Sequence, residues 1–263
     1  MKITSHGLVS VITPTYNCGK YITETIKSVL AQTYTDWEMI IVDDCSTDDT
    51  KYIVEEISKN DNRIKYYCLK KNSGAAIARN TALKLASGRW IAFLDSDDLW
   101  METKLQEQID FMINENYSFT YTPYDVIDNR GNPIGKIVSG PKHISRAGML
   151  SYCWPGCLTV IYDRKKIGDI CIPDIKKNND YAMWLLICRK SCCHRYCNVL
   201  SRYRIRDGSI SRVGIFRLIK WHYRLFRIVE QTNIVTSMLL TFNNILFGTI
   251  KKLIYNKPYK HIQ

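Results

Sequence analysis

Trp90-Ile91-Ala92-Phe93-Leu94-Asp95-Ser96-Asp97-Asp98 decides the reading of this chain, because five apolar residues run straight into three acids within four positions. A short continuous apolar run suits a strand buried on both faces, as strands of a parallel sheet are. The acids then stand just beyond its carboxyl end. Carboxylates this close repel one another unless a cation or a basic partner neutralises them, which a plain solvated turn does not require. An oxygen-preferring divalent ion, Mn²⁺ or Mg²⁺, would supply that charge and share phosphate oxygens with the cluster. The structural alternative is an acidic first turn for a helix starting near Leu99, with Asp98 as its cap.

Working outward, three earlier runs at 8–13, 38–42 and 64–69 also read as strands, with amphipathic helical patterns at 20–32, 49–59 and 75–86 between them. This βαβαβαβ order predicts an α/β fold, a mostly parallel sheet with helices on both faces. Ligands of such sheets collect outside the carboxyl ends of the strands. The segments at those ends are Pro14-Thr15-Tyr16-Asn17, Asp43-Asp44-Cys45-Ser46 and Asn72-Ser73-Gly74, besides the acidic cluster. Ser46 and Asp48 suit helix capping, whereas Asp43 and Asp44 suit hydrogen bonds to a nucleoside base or ribose hydroxyls. Arg79 falls roughly one and a half turns into the third helix, within reach of a diphosphate or of the acids. Taken alone it is an ordinary exposed helix arginine.

A length of 263 residues allows one large α/β core with a small addition. The net charge of +12 is concentrated at one end: residues 195–263 hold 13 Lys/Arg against Asp207 and Glu230 alone. The ten cysteines include Cys153/Cys157, Cys188/Cys192 and Cys193/Cys197, each four apart, a spacing better suited to buried thiols than to a metal site. The short polar start from Met1 to His6 does not read as a signal peptide, so a reducing cytoplasm is expected. The longest apolar window, 234–250, is interrupted by Thr236, Ser237, Thr241, Asn243 and Asn244, short of an uninterrupted spanning segment.

Beyond residue 116 the pattern is less regular, with strands expected at 119–127 and 158–162, a turn at 128–133 and a helix near 180–189. This half is expected to recognise an acceptor. Helices at 215–231 and 234–253 interleave aromatic and aliphatic residues with Arg217, Lys220, Arg224 and Arg227, a basic amphipathic tail that suits an anionic bilayer surface. The expected division is therefore 1–212, split into halves 1–100 and 101–212, followed by a helical tail at 213–263.

The segments Val11-Ile12-Thr13-Pro14-Thr15-Tyr16-Asn17, Val42-Asp43-Asp44-Cys45-Ser46-Thr47-Asp48, Asn72-Ser73-Gly74 with Ala78-Arg79-Asn80, and Phe93-Leu94-Asp95-Ser96-Asp97-Asp98 resemble the family 2 glycosyltransferases in content, order and spacing. The resemblance is strong over 8–100, moderate to about 211 and weak beyond. It implies a GT-A fold, a UDP-sugar donor and inversion of the anomeric centre. It further implies a donor site of Pro14, Thr15, Tyr16, Asn17, Asp43, Asp44, Asn72, Gly74, Arg79, Asp95 and Ser96, with Asp97 as direct metal ligand and Asp95 on ribose or metal.

Inversion by single displacement needs a base on the acceptor side. The matching segment, Asn178-Asn179-Asp180-Tyr181-Ala182-Met183-Trp184-Leu185, implies Asp180, with Asn179 standing where Glu is common in the family. Tyr203-Arg204-Ile205-Arg206-Asp207-Gly208-Ser209-Ile210-Ser211 is similar to a loop that closes over the donor, and Arg206, where His is common, suits the diphosphate. The processive Gln-x-x-Arg-Trp signature is absent from the sequence, which implies one sugar per encounter.

The implied reaction is glucose transfer, with β linkage, from UDP-glucose to GlcNAc on a lipid diphosphate (undecaprenol) in O-antigen assembly, at the inner face of a bacterial inner membrane. UDP-galactose and a capsule or teichuronic-type product are the alternatives. Two other classes compete. A nucleic-acid-binding protein would explain the basic tail but not the strand-end acids, which repel a phosphate backbone, so no nucleic acid partner is expected. A nucleotidyltransferase would carry a Gly- and Lys/Arg-rich loop where Pro14-Thr15-Tyr16-Asn17 stands.

Overall fold

The structure is a computed structural model and describes residues 6–175, 177–206 and 215–258. Its first half follows the predicted alternation: β1 (Val9–Thr15), α1 (Gly19–Leu30), β2 (Trp37–Asp43), α2 (Thr50–Ser58), β3 (Ile64–Cys68), α3 (Ala75–Leu85) and β4 (Trp90–Phe93). The rest of the chain is β5 (Leu99–Trp100), α4 (Lys104–Asn114), β6 (Phe119–Tyr121), β7 (Tyr124–Ile127), β8 (Pro133–Val138), β9 (His143–Ile144), α5 (Arg146–Ser151), a 3₁₀ turn at Cys157–Thr159, β10 (Ile161–Asp163), α6 (Arg164–Ile167), α7 (Asn179–Ile187), β11 (Cys193–Arg195), β12 (Ser201–Arg204), α8 (Ile215–Val229), α9 (Ile234–Ile254) and β13 (Asn256–Pro258).

One sheet runs β3-β2-β1-β4-β10-β6-β11-β9. Strands β1 to β4 are mutually parallel, and β10 is antiparallel to β4 and β6. Both faces of β1, β2 and β4 are buried, whereas the edge strand β3 is partly exposed, and side chains alternate between the faces along each strand. Ile40 and Val42 of β2 face one apolar cluster, Met39 and Ile41 the other; in β4, Ile91 and Phe93 oppose Trp90 and Ala92. Successive side chains of a strand point to opposite faces, so a two-sided core demands the unbroken apolar runs the sequence carries. The order reverses at β1, with β2 on one side and β4 on the other, and a crevice opens at their carboxyl ends.

A second sheet, β13-β8-β7-β12-β5, contributes Tyr203 of β12 to the wall of that crevice. It accounts for three differences from expectation. The run at 119–127 is two strands, because β6 stays in the first sheet while β7 crosses to the second. Residues 158–162 split into the 3₁₀ turn and β10. No helix starts at Leu99: β5 forms there, pairs antiparallel with β12, and α4 begins at Lys104 after Thr103. Asp98 therefore caps no helix.

The C-terminal helices are present, but α8, α9 and β13 are built into the body formed by the two sheets. Leu225, Phe226 and Val229 of α8 are buried in the core that includes α7, Glu230 pairs with Arg146 and Arg189, and β13 extends the second sheet through β8. The expected boundary at 212/213 lies outside the described residues, and α8 beyond it shares a core with α7.

Candidate active site

A cleft of about 300 Å³ lies at the carboxyl ends of β1, β2 and β4. Among the expected residues it is lined by Pro14, Thr15, Tyr16, Asp44, Arg79, Asp95, Ser96, Asp97 and Arg206. Four of the expected donor-side residues do not line it. Asp43 is fully buried and its carboxylate is saturated by the Ser46 amide and hydroxyl and by the Tyr66 hydroxyl. Asn17 accepts from the Thr47 amide, Asn72 is an exposed loop residue, and Gly74 supplies a turn at φ 90°. These four shape the walls, since a strand's adjacent residues diverge and only one of the Asp43-Asp44 pair can face the crevice. Asp44 binds the Ser73 and Gly74 amides at 2.6 and 2.7 Å, fixing the loop that opens α3.

The acidic floor is held from three sides. Thr25 of α1 donates to the carbonyls of Ser96 and Asp98 at 3.0 and 2.9 Å. The β5–β12 pairing brings the Arg204 amide to Asp98 at 2.8 Å. The buried Arg204 guanidinium reaches the Asp97 carbonyl at 2.9 Å and Glu24 at 2.6 Å. Arg206, two residues on, pairs with Asp97 at 2.8 Å. Burial pushes the Asp97 carboxyl up, with Arg206 opposing and Asp95 adding to it; burial and both neighbouring acids push Asp98 well up. Asp97 and Asp95 are already ion-paired, with Arg206 and Arg79, so a hard cation would share these two carboxylates with the arginines. Among the described residues no three His, Cys, Asp or Glu side chains converge as a ready cage. A cation at this floor would therefore draw on Asp97, Asp95 and phosphate oxygens of a ligand.

Arg79 connects the two halves. Buried in α3, it donates to Asp95 beyond β4 and to Asn179 at the start of α7. Among the described residues its Nε and the buried Thr15 hydroxyl have no partner. Unpaired polar atoms lining a cleft are placed for a polar ligand, because leaving them empty costs about 1–3 kcal/mol each.

Asp180 does not line the cleft itself, but it lies within electrostatic reach of Arg79 and Asp95. Burial raises its carboxyl, partly offset by Arg79 and the Tyr181 amide. Asn178, just ahead of α7, takes a left-handed conformation at φ 60°, a strained backbone of the kind found at functional sites. Helix α7 is anchored by Trp184, packed edge-on to Phe93 at 5.3 Å, so Asp180 stands on a rigid element. Lys251 of α9, donating to the Trp154 carbonyl at 2.7 Å, is lowered by burial to about 8 and also feels Asp180.

Sequence reading gave no role of their own to Ala75, Ala78 and Tyr203 in the lining or to Arg204 and Glu24 beneath it, and it took Asp98 of the acidic cluster for a helix cap. The two alanines leave no periodicity signal, and the Arg204–Glu24 pair spans 180 positions. The ten cysteines are unpaired, and burial raises the thiols of Cys157, Cys188 and Cys193.

Acids, an arginine and a buried hydroxyl gathered at the switch point of an α/β sheet suit an enzyme that binds a phosphorylated ligand. Residues 10–158 match the Glycosyl transferase family 2 profile, and the chain belongs to that family. It is 45% identical over 88% of its length, and 91% of the relative's, to TuaG of Bacillus subtilis, a protein assigned to teichuronic acid biosynthesis as a glycosyltransferase. It is also 45% identical to two Escherichia coli enzymes named UDP-Glc:alpha-D-GlcNAc-diphosphoundecaprenol beta-1,3-glucosyltransferase. For WfgD the match covers 78% of this chain and 79% of the relative, and for WfaP 81% and 83%. Among solved structures, Staphylococcus aureus TarS aligns over 88% of this chain and 42% of its own, with TM-score 0.68 and 23% identity. A Pyrobaculum calidifontis mannosyltransferase, solved with GDP-Man and Mn²⁺, aligns over 94% and 76% with TM-score 0.66 and 16% identity. The fold is that of the GT-A glycosyltransferases.

Proposed function

We propose that the chain transfers glucose from UDP-glucose to a GlcNAc unit carried on a lipid diphosphate, with inversion to a β linkage. The observation that supports the reaction class is the Arg79 bridge, which ties the acidic floor to the helix carrying Asp180. The names of WfgD and WfaP support the donor and acceptor. Thr15, Tyr16 and Asp44 face the nucleoside, and Arg79 and Arg206 neutralise the diphosphate. Asp97, with Asp95, would hold Mn²⁺ or Mg²⁺, which when bound supplies Lewis-acid charge to the leaving group.

The acceptor hydroxyl attacks the anomeric carbon as the bond to UDP breaks, and its proton passes to Asp180. Burial favours this role, because a carboxylate with raised proton affinity is the better base. The basic face of α8 brings the enzyme to an anionic membrane where a lipid-linked acceptor resides. An acceptor of the teichuronic type is the second reading, favoured by the longer match to TuaG.

The test is a screen of UDP-sugars against a synthetic GlcNAc-diphosphate-lipid, with Mn²⁺ or EDTA, for the wild type and Asp97→Asn. UDP-glucose should give a β-linked product that EDTA and Asp97→Asn both suppress at least tenfold. Preference for UDP-galactose would move the donor assignment, and turnover indifferent to EDTA and to Asp97→Asn would overturn the cation site.

A further inference from the structure

Helix α9 carries its polarity the wrong way round for a surface that meets water. Its inward stripe is Ser237, Thr241, Asn244 and Lys251, all buried and all partnered. Gly248 completes that stripe, where an added Cβ would stand 3.0 Å from the Tyr152 ring. The outward stripe is Val235, Leu239, Phe242, Leu246 and Leu253, between 49% and 78% exposed, with exposed Thr249 in register between the last two. A surface helix of a water-soluble domain does the reverse, and apolar faces this continuous mark interaction sites. Beside it, α8 sets out Arg217, Lys220, Arg224 and Arg227 along one face, and neither helix contains an acid.

We propose that α9 lies in the plane of a bilayer interface, with its outward stripe in the acyl layer and the basic face of α8 against anionic head groups. The inference rests on the proposed use of a lipid-linked acceptor and specifies how the enzyme meets that lipid. The charge pattern selects the occupant. A second copy docked on this face would meet four like charges with no acid on either helix to match them, whereas anionic lipid complements both the apolar stripe and the cations.

By length and composition α9 is also the one described helix able to cross a membrane. Its connections oppose that. It follows α8 after four residues and leads into β13, which pairs with β8, so both ends stay on the protein's side. Asn244 is bonded to the Tyr181 hydroxyl and Lys251 to Trp154, which holds the polar stripe on the protein.

The experiment uses the full chain and compares wild type with Leu239→Glu/Phe242→Glu in co-sedimentation with vesicles of phosphatidylcholine mixed with phosphatidylglycerol. The variant should bind at least tenfold more weakly, while UDP release with a short-chain, detergent-free acceptor stays at the wild-type rate. That second readout tests the glycosyltransferase reading separately. A milder pair, Leu239→Ser with Leu246→Ser, covers the case in which the glutamates unfold the hairpin, and should weaken binding in the same direction. Three outcomes would overturn the proposal: vesicle binding unchanged in both variants, a lipid-free wild-type dimer that the variants convert to monomer without loss of vesicle binding, or a C-terminal tag shielded from protease inside sealed vesicles.

Discussion

Asp180→Asn tests the acceptor side of the mechanism with little change of shape. The amide keeps an oxygen that can accept from the Tyr181 amide, now at 2.8 Å, and Arg79 keeps Asp95 as its counter-ion. What is lost is a proton acceptor, and a positioned general base contributes about 10²–10⁴-fold, or roughly 3–5 kcal/mol of barrier. Turnover should fall by that factor while UDP affinity changes little, because Asp180 does not line the donor cleft.

The pH dependence sharpens the test. Burial raises the Asp180 carboxyl, so wild-type turnover should climb with pH through a range above that of an ordinary carboxylate, and the variant should lack this rise. Stability moves the other way. A folded-state pKa raised above the unfolded value gives stability that is complete below the unfolded pKa and is lost as pH rises through the folded one. The Asn variant escapes that loss and should be at least as stable as wild type at neutral pH. The assay is coupled UDP release with the lipid acceptor, run beside urea melts and calorimetric UDP titration. Turnover within about tenfold of wild type, or an acid-side rise that survives in the variant, would refute the base assignment.

Two further perturbations probe the scaffold. Arg79→Met should lower stability by about 3 kcal/mol by leaving Asp95 uncompensated beside a buried site, and adding Asp95→Asn should recover part of it; strictly additive losses in thermal melts would show that the pair is not coupled. Burial alone would raise Glu38, yet hydrogen bonds from Lys65, Ser10 and Ser87 hold it at about 2. Its stabilisation is complete above the unfolded value and lost as pH falls through about 2, so Glu38→Gln should cost on the order of 2–3 kcal/mol at neutral pH and much less in acid. A cost independent of pH in urea melts would refute this account.

The first half of the chain was legible because each of its elements is specified by neighbouring residues. The unbroken runs of β1, β2 and β4 and the 3.6-residue patterns of α1 to α3 are local signals, and most of the cleft-lining residues follow from where the strands stop. The second half was less legible. β5 and β12 lie about a hundred positions apart, and their pairing turned Asp98 from an expected helix cap into the acceptor of the Arg204 amide. The tail shows the same limit. Its helices and their basic residues were plain in the sequence, but truncation at 213 would remove Phe226 from the core and Asn244 from Tyr181.

By itself, then, the sequence determined the α/β alternation, the strand-end acids and the basic tail, because hydrophobic period and strand ends are properties of contiguous residues. Tertiary structure decided which of two adjacent acids, Asp43 or Asp44, faces the cleft, which arginines meet which carboxylates, and which side of α9 is turned outward. Those choices depend on partners distant in the chain, whose approach is fixed only when sheets and helices close on one another.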